Sequence, residues 1–228
     1  MNILIFGATG MVGQAVLREC LLDPGVTRVV AIGRSPARQT RMGRLPEAAA
    51  KLEDLIHTDM FDYSAIEDRL TGFDAGFFCL GVSSAGMSEA AYTRVTYDLT
   101  LAAATVLARR NPQMVFTYVS GRSTDSSEQG PTMWARVKGR TENALLRLPF
   151  RAAYMFRPGI IEPMHGIRPK SLVYRAAYVV LMPLLLAIKY VWPQPSMTTT
   201  QQVGRAMLAV ARMRASKPIL EVADINAL

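Results

Sequence analysis

Cysteine, histidine and long uncharged runs are scarce in this 228-residue chain, and each scarcity removes a class of protein. Cys20 and Cys79 stand far apart in apolar company, which excludes a disulfide-built scaffold and reads first as two small buried hydrophobes in a reducing compartment. His57 and His165 are isolated, with no cluster at ligand spacing, so no metal site is expected. The most apolar stretch, 172–192, has 13 uncharged residues between Arg175 and Lys189, interrupted by Pro183, whereas a spanning helix needs about 20. It is not expected to span. Three readings stay open for it: a buried or homodimer-interface helix, the wall of an apolar substrate pocket, or a peripheral membrane contact. The opening residues Met1–Phe6 show neither a basic leader nor a cleavage site and run into a strand pattern, which leads to an expected cytoplasmic location.

Acidic residues are rare in one part of the chain. Residues 130–228 hold 14 Lys/Arg and 4 Asp/Glu, residues 1–129 hold 12 and 14, so the net +8 belongs to the C-terminal part. Such asymmetry suits nucleic acid, an anionic membrane surface or phosphate-bearing ligands. No helix-turn-helix, zinc-finger or basic-aromatic RNA-binding motif is present, so no nucleic-acid partner is expected. With 50% hydrophobic and 19% charged residues, the chain can bury a core and reads as one domain rather than as disorder.

Apolar runs of strand length alternate with helical patterns: 3–7, 12–22, 29–33, 55–58, 63–70, 76–81, 89–110, 115–120, 132–148 and 152–156. Continuous hydrophobic strands are expected where helices cover both faces of a sheet, so the pattern predicts an α/β, doubly wound parallel sheet, the Rossmann fold. Pro24-Gly25, Asn111-Pro112 and Pro149 punctuate it where helices should end. Residues 160–228 are expected to form a small C-terminal helical region for substrate or interface within the same domain.

After the first strand comes Gly7-Ala8-Thr9-Gly10-Met11-Val12-Gly13, opening a helical pattern. A turn without side chains lets backbone N–H groups approach a pyrophosphate, and the helix N-terminus adds partial positive charge. Gly7 would permit the turn, Gly10 the close approach and Gly13 the packing of helix on strand. A strand before, a helix after and a second strand about 20 residues on supply the context this motif requires. The second strand ends in Ala31-Ile32-Gly33-Arg34-Ser35, without the carboxylate that holds an NAD ribose. Arg34 instead stands where a guanidinium can pair with a 2′-phosphate, so the expected cofactor is NADP(H). Arg38, Arg41 and Arg44 follow it, either assisting or forming a solvated charged loop.

These motifs, with Thr58-Asp59-Met60, Cys79-Leu80-Gly81, Val119-Ser120, Val137-Lys138-Gly139, Glu142 and Phe156-Arg157-Pro158-Gly159, resemble an atypical, extended-type short-chain dehydrogenase/reductase of the NmrA-like and epimerase-like group. The resemblance implies that Asp59 and Met60 border the adenine, Leu80 and Gly81 the adenine ribose, and Pro158 and Gly159 the nicotinamide side. It implies that Ser120 hydrogen-bonds the substrate oxygen and that Lys138 binds the nicotinamide ribose and activates a tyrosine four residues earlier. Here that position is Trp134. An indole N–H donates a hydrogen bond but does not ionise near neutral pH, so the usual proton donor is lost. Tyr92, Tyr97, Tyr118, Ser123, Ser126, Ser127 and His165 are the candidate replacements, each with an ordinary structural reading beside it. The expected function is an NADPH-dependent oxidoreductase or epimerase-like enzyme on a small apolar carbonyl compound. The alternative is a non-catalytic NADPH-binding sensor or docking protein.

Overall fold

The computed structural model describes residues 1–39, 48–167, 197–213 and 215–228. Its strands are β1 (Asn2–Phe6), β2 (Arg28–Gly33), β3 (Leu52–Ile56), β4 (Ala75–Phe78), β5 (Val115–Val119), β6 (Ala152–Arg157), β7 (Ile160–Glu162), β8 (Met197–Thr199) and β9 (Ile219–Glu221). Seven of them form one sheet in the order β3-β2-β1-β4-β5-β6-β9, every pair parallel. The short β7 and β8 pair separately. The helices are α1 (Met11–Leu22), α2 (Glu89–Thr93), α3 (Leu99–Arg110), α4 (Met133–Leu146), α5 (Thr200–Arg212) and α6 (Val222–Ala227).

Alternate residues of each central strand enter different layers. Ile3, Ile5, Val29, Ala31 and Phe77 pack under α1 and α5, whereas Leu4, Phe6, Val30, Ile32 and Phe78 pack under α3 and α4. Both sets are apolar because both faces of the sheet are covered, which is why these strands read as unbroken hydrophobic runs. The winding reverses between β1, which joins β2, and β4, so a crevice opens beyond their C-terminal ends.

Four elements differ from the sequence expectation, the first being β3, expected at 55–58 and found at Leu52–Ile56. Residues Ser64–Arg69 form a 3₁₀ helix rather than an α-helical stretch. The predicted 89–110 helix is continuous but passes through a π-helical turn at Arg94–Asp98. The C-terminal region also contributes the seventh sheet strand, and α5 packs on α1 through the Arg205–Glu19 pair at 3.3 Å and the Arg212–Asp23 pair. The readings of 172–192, Arg41 and Arg44 lie outside the described residues. No helix among the described residues is long and apolar enough to cross a membrane.

Candidate functional site

Between β1 and α1 the chain makes the turn that the glycines predict. Gly7 has φ +78°, and a Cβ there would lie 2.8 Å from the backbone of Cys79 and Leu80 at the end of β4. A Cβ on Gly13 would lie 2.1 Å from the Gly7 carbonyl oxygen, so only glycine lets α1 begin this close to the turn. Gly10 N–H donates to the Gly7 oxygen at 2.9 Å, and the Gln14 side chain donates to the Thr9 carbonyl at 2.9 Å. Gly10 is the N-cap, with no side-chain cap and no acidic residue in the first turn. The first N–H groups of α1, at Met11 and Val12, therefore keep their affinity for an anion.

Beyond the turn lies a cleft of about 500 Å³. It brings together Gly7, Thr9, Gly10, Arg34, Asp59, Met60, Leu80 and Gly81, all singled out from the sequence. Phe61, Val82, Val95 and Leu99 also line it and were not foreseen. A smaller recess continues past Arg34 and Ser35 against the end of β2. Arg34 is exposed and makes no hydrogen bond or ion pair among the described residues, whereas Arg38 pairs with Asp54 at 3.6 Å and donates to the Leu52 carbonyl. The two arginines thus separate: Arg38 holds its own loop to β3, and Arg34 is left to face the cleft. Cys79 also lines the cleft, but burial pushes its thiol up to about 12, which leaves it a hydrophobe rather than a nucleophile.

The second group of predicted residues gathers beyond β5 and β6. Ser120 is buried, its N–H donating to the Phe156 carbonyl at 2.7 Å and its hydroxyl 3.0 Å from that of Thr124. Thr124 also donates to the Gly121 carbonyl at 2.7 Å, a partner the sequence did not single out. Arg122 N–H donates to the Pro158 carbonyl at 3.1 Å, tying Pro158 and Gly159 to the same edge. Trp134 packs beside Gly121, within 3.8 Å of where a Cβ would stand. Lys138 sits one turn later, its Nζ 3.4 Å from both the Tyr118 hydroxyl and the Val119 carbonyl and 5.1 Å from the Tyr118 ring centre. Burial lowers the Lys138 ammonium to about 8, although Glu142 opposes the shift.

The polar loop 121–130 is fixed against α4. A Cβ on Gly139 would lie 1.7 Å from the Asp125 carbonyl oxygen, and Asp125 N–H donates to the Ala135 carbonyl at 3.1 Å. The Asp125 carboxylate accepts from the Ser127 hydroxyl at 2.6 Å and from Gly130 N–H at 2.6 Å. Ser126 is held by Arg157 at 2.6 Å, and Arg157 makes a paired contact with the fully buried Glu142 at 2.5 and 3.1 Å. Ser126 and Ser127 therefore serve the loop, and Ser123 remains exposed with φ +67°. Tyr92 and Tyr118 are buried, with 2% and 1% exposure, and Tyr97 lies under the Arg140 guanidinium at 4.7 Å. Burial, then the charges of Tyr92 and Glu142, raises the Tyr118 hydroxyl far above its usual range.

A parallel doubly wound sheet with a glycine turn at its reversal point, a capless helix start and an arginine after β2 that has no partner among the described residues defines a dinucleotide-binding protein. Residues 3–133 match the NAD dependent epimerase/dehydratase family, and the chain belongs to that family. It is 29% identical to the protein fmp52, mitochondrial, of Emericella nidulans over 86% of this chain and 82% of that one. It is 28% identical to the protein HTATIP2 of Rattus norvegicus over 70% of this chain and 62% of that one. Among solved structures it resembles Gre2 of Candida albicans in complex with NADPH (TM-score 0.69, 14% identity, 97% of this chain and 77% of that one). It also resembles the enzyme WbmF of Bordetella bronchiseptica in complex with NAD+ (TM-score 0.67, 14% identity, 99% and 76%). One expectation is overturned by these relatives. The FMP52 proteins of Emericella nidulans, Eremothecium gossypii and Candida albicans are named mitochondrial, so the cytoplasmic location expected from the first residues is withdrawn.

Proposed function

We propose that the protein is an NADP(H)-dependent oxidoreductase or epimerase-like enzyme for a small, apolar carbonyl compound. The observation that carries the coenzyme is Arg34, an exposed guanidinium with no partner among the described residues, in a cleft lined by Gly7, where no side chain fits. The α1 N–H groups would hold the diphosphate and Arg34 the 2′-phosphate. Bound nicotinamide supplies or takes the hydride. A carbonyl that gains hydride becomes an alkoxide and needs a proton. Ser120 and the Trp134 N–H would stabilise the developing negative charge, and the Lys138 ammonium would supply the proton, because burial brings its pKa down to about 8 while Tyr118 stays protonated.

The test is a screen of aldehydes, ketones and quinones with NADPH. Turnover that falls in both Ser120→Ala and Lys138→Ala supports the enzyme, and wild-type rates equal to those of the variants contradict it. A second reading, a non-catalytic NADPH-binding sensor or docking protein, is favoured by Trp134 itself. Reductase activity gained on Trp134→Tyr in a wild type that binds NADPH without turnover would support that reading. A mitochondrial setting follows for either reading from the names of the fungal relatives.

A further inference from the structure

We infer that Phe61 and Arg94 form a cap for the adenine base, which enters between the Phe61 ring and the Arg94 guanidinium. The inference rests on the coenzyme reading above. Phe61 follows β3 on the adenosine flank of the cleft, the same flank as Arg34 and away from Ser120 and Pro158. Its N–H donates to Asp59 Oδ1 at 2.9 Å, a turn that fixes the residue at the cleft wall. Phe61 remains 38% exposed although its side chain is apolar. On the opposite wall the 89–110 helix turns through its π-helical segment, and Val95 and Leu99 face the cleft. Arg94, next to Val95, reaches back over Phe61 with its guanidinium carbon 4.7 Å from the ring centre.

This contact joins the two walls of the cleft through a planar cation lying on an aromatic face. At an exposed site such a contact is weak, and a long exposed side chain leaves it readily. A purine presents a flat π-face that stacks on a phenyl ring and under a guanidinium alike. Insertion of the base therefore exchanges one weak exposed contact for two stacked ones and removes the Phe61 face from water. Among the described residues, Arg94 pairs with no acidic group that would hold it back. The segment gives a reason for the π-helical turn as well, since an extra residue in the turn changes the direction in which the flanking side chains project.

Calorimetric binding of NADPH and of adenosine 2′,5′-bisphosphate tests the cap. Phe61→Ala and Arg94→Ala are each expected to weaken both ligands by the same factor, about tenfold, within what stacking a base is worth. Phe61→Trp should restore binding, and Arg94→Lys should not, because an ammonium has no planar face. The double variant should lose less than the product of the two single losses, since both residues act on one base. The NADPH:NADH preference should stay unchanged, because it belongs to Arg34. Both side chains are exposed, so the variants should melt with the wild type. Unchanged affinity in both alanine variants, or loss for NADPH without loss for the bisphosphate, overturns the cap alone. A wild type that binds neither ligand overturns the coenzyme reading and the cap with it.

Discussion

At the scale of single residues, coenzyme choice and proton supply turn on what three side chains can and cannot do. Arg34 is expected to confer coenzyme choice: Arg34→Ala should weaken NADPH by about tenfold or more, the worth of a charge-assisted pair, and leave NADH nearly unchanged. Arg38→Ala, which removes a contact to Asp54 instead, should leave the NADPH:NADH ratio where it was. Lys138 carries a pH signature. Its ammonium is the active form in reduction, so kcat/KM should fall as pH rises through about 8. The same group affects stability in the opposite direction. Unfolded, it holds its proton up to its usual 10.5, so the native state gains stability as pH rises from about 8 to 10.5. The turn of Gly7, Gly10 and Gly13 and the position of Arg34 at the cleft were legible because each is a residue type whose presence is chemically decisive. Thr124 and Phe61 were not legible, since their importance comes from neighbours brought in by the fold. Gly139 was available as a signal: a glycine inside a helix costs about 1 kcal/mol and here marks where the loop meets α4.

Elements decide how the chemistry is held. The loop 121–130 is pinned by Asp125, by the close approach at Gly139 and by Arg157, whose partner Glu142 has no exposure. Glu142→Ala leaves a buried guanidinium with only Glu221 at 3.3 Å and Ser126, and should cost about 3–5 kcal/mol in urea unfolding. Replacing both partners by methionine should cost less than Glu142→Ala, because no charge is then stranded. The strands β1, β2, β4, β5 and β6 were readable as apolar runs with helices between them. β9 was not, since Ile219–Glu221 gives three residues, too few for a period to show. Its place at the sheet edge is set by pairing with β6 and by α5 on α1, both contacts between distant parts of the chain. The 3₁₀ geometry of Ser64–Arg69 escaped for a related reason: its capping contacts, such as Leu70 N–H to the Glu67 carbonyl, are too local to leave a periodic pattern.

For the whole molecule, the proposed coenzyme would lie across the reversal point of the sheet, from Phe61 after β3 to Pro158 after β6. A coenzyme binding there touches the ends of β1 to β6 and should stabilise the protein as a unit. At a hundredfold excess over Kd the gain is about 2.7 kcal/mol, so thermal unfolding should move upward by several degrees with NADPH. The positive balance of residues 130–228 suits anionic ligands in general and names none of them. Titration calorimetry of the purified chain with NADPH and NADH tests the central claim most directly. Saturable one-to-one binding is expected, tighter for NADPH, with that advantage lost in Arg34→Ala. Absence of heat from either coenzyme, or tighter binding of NADH, would contradict it.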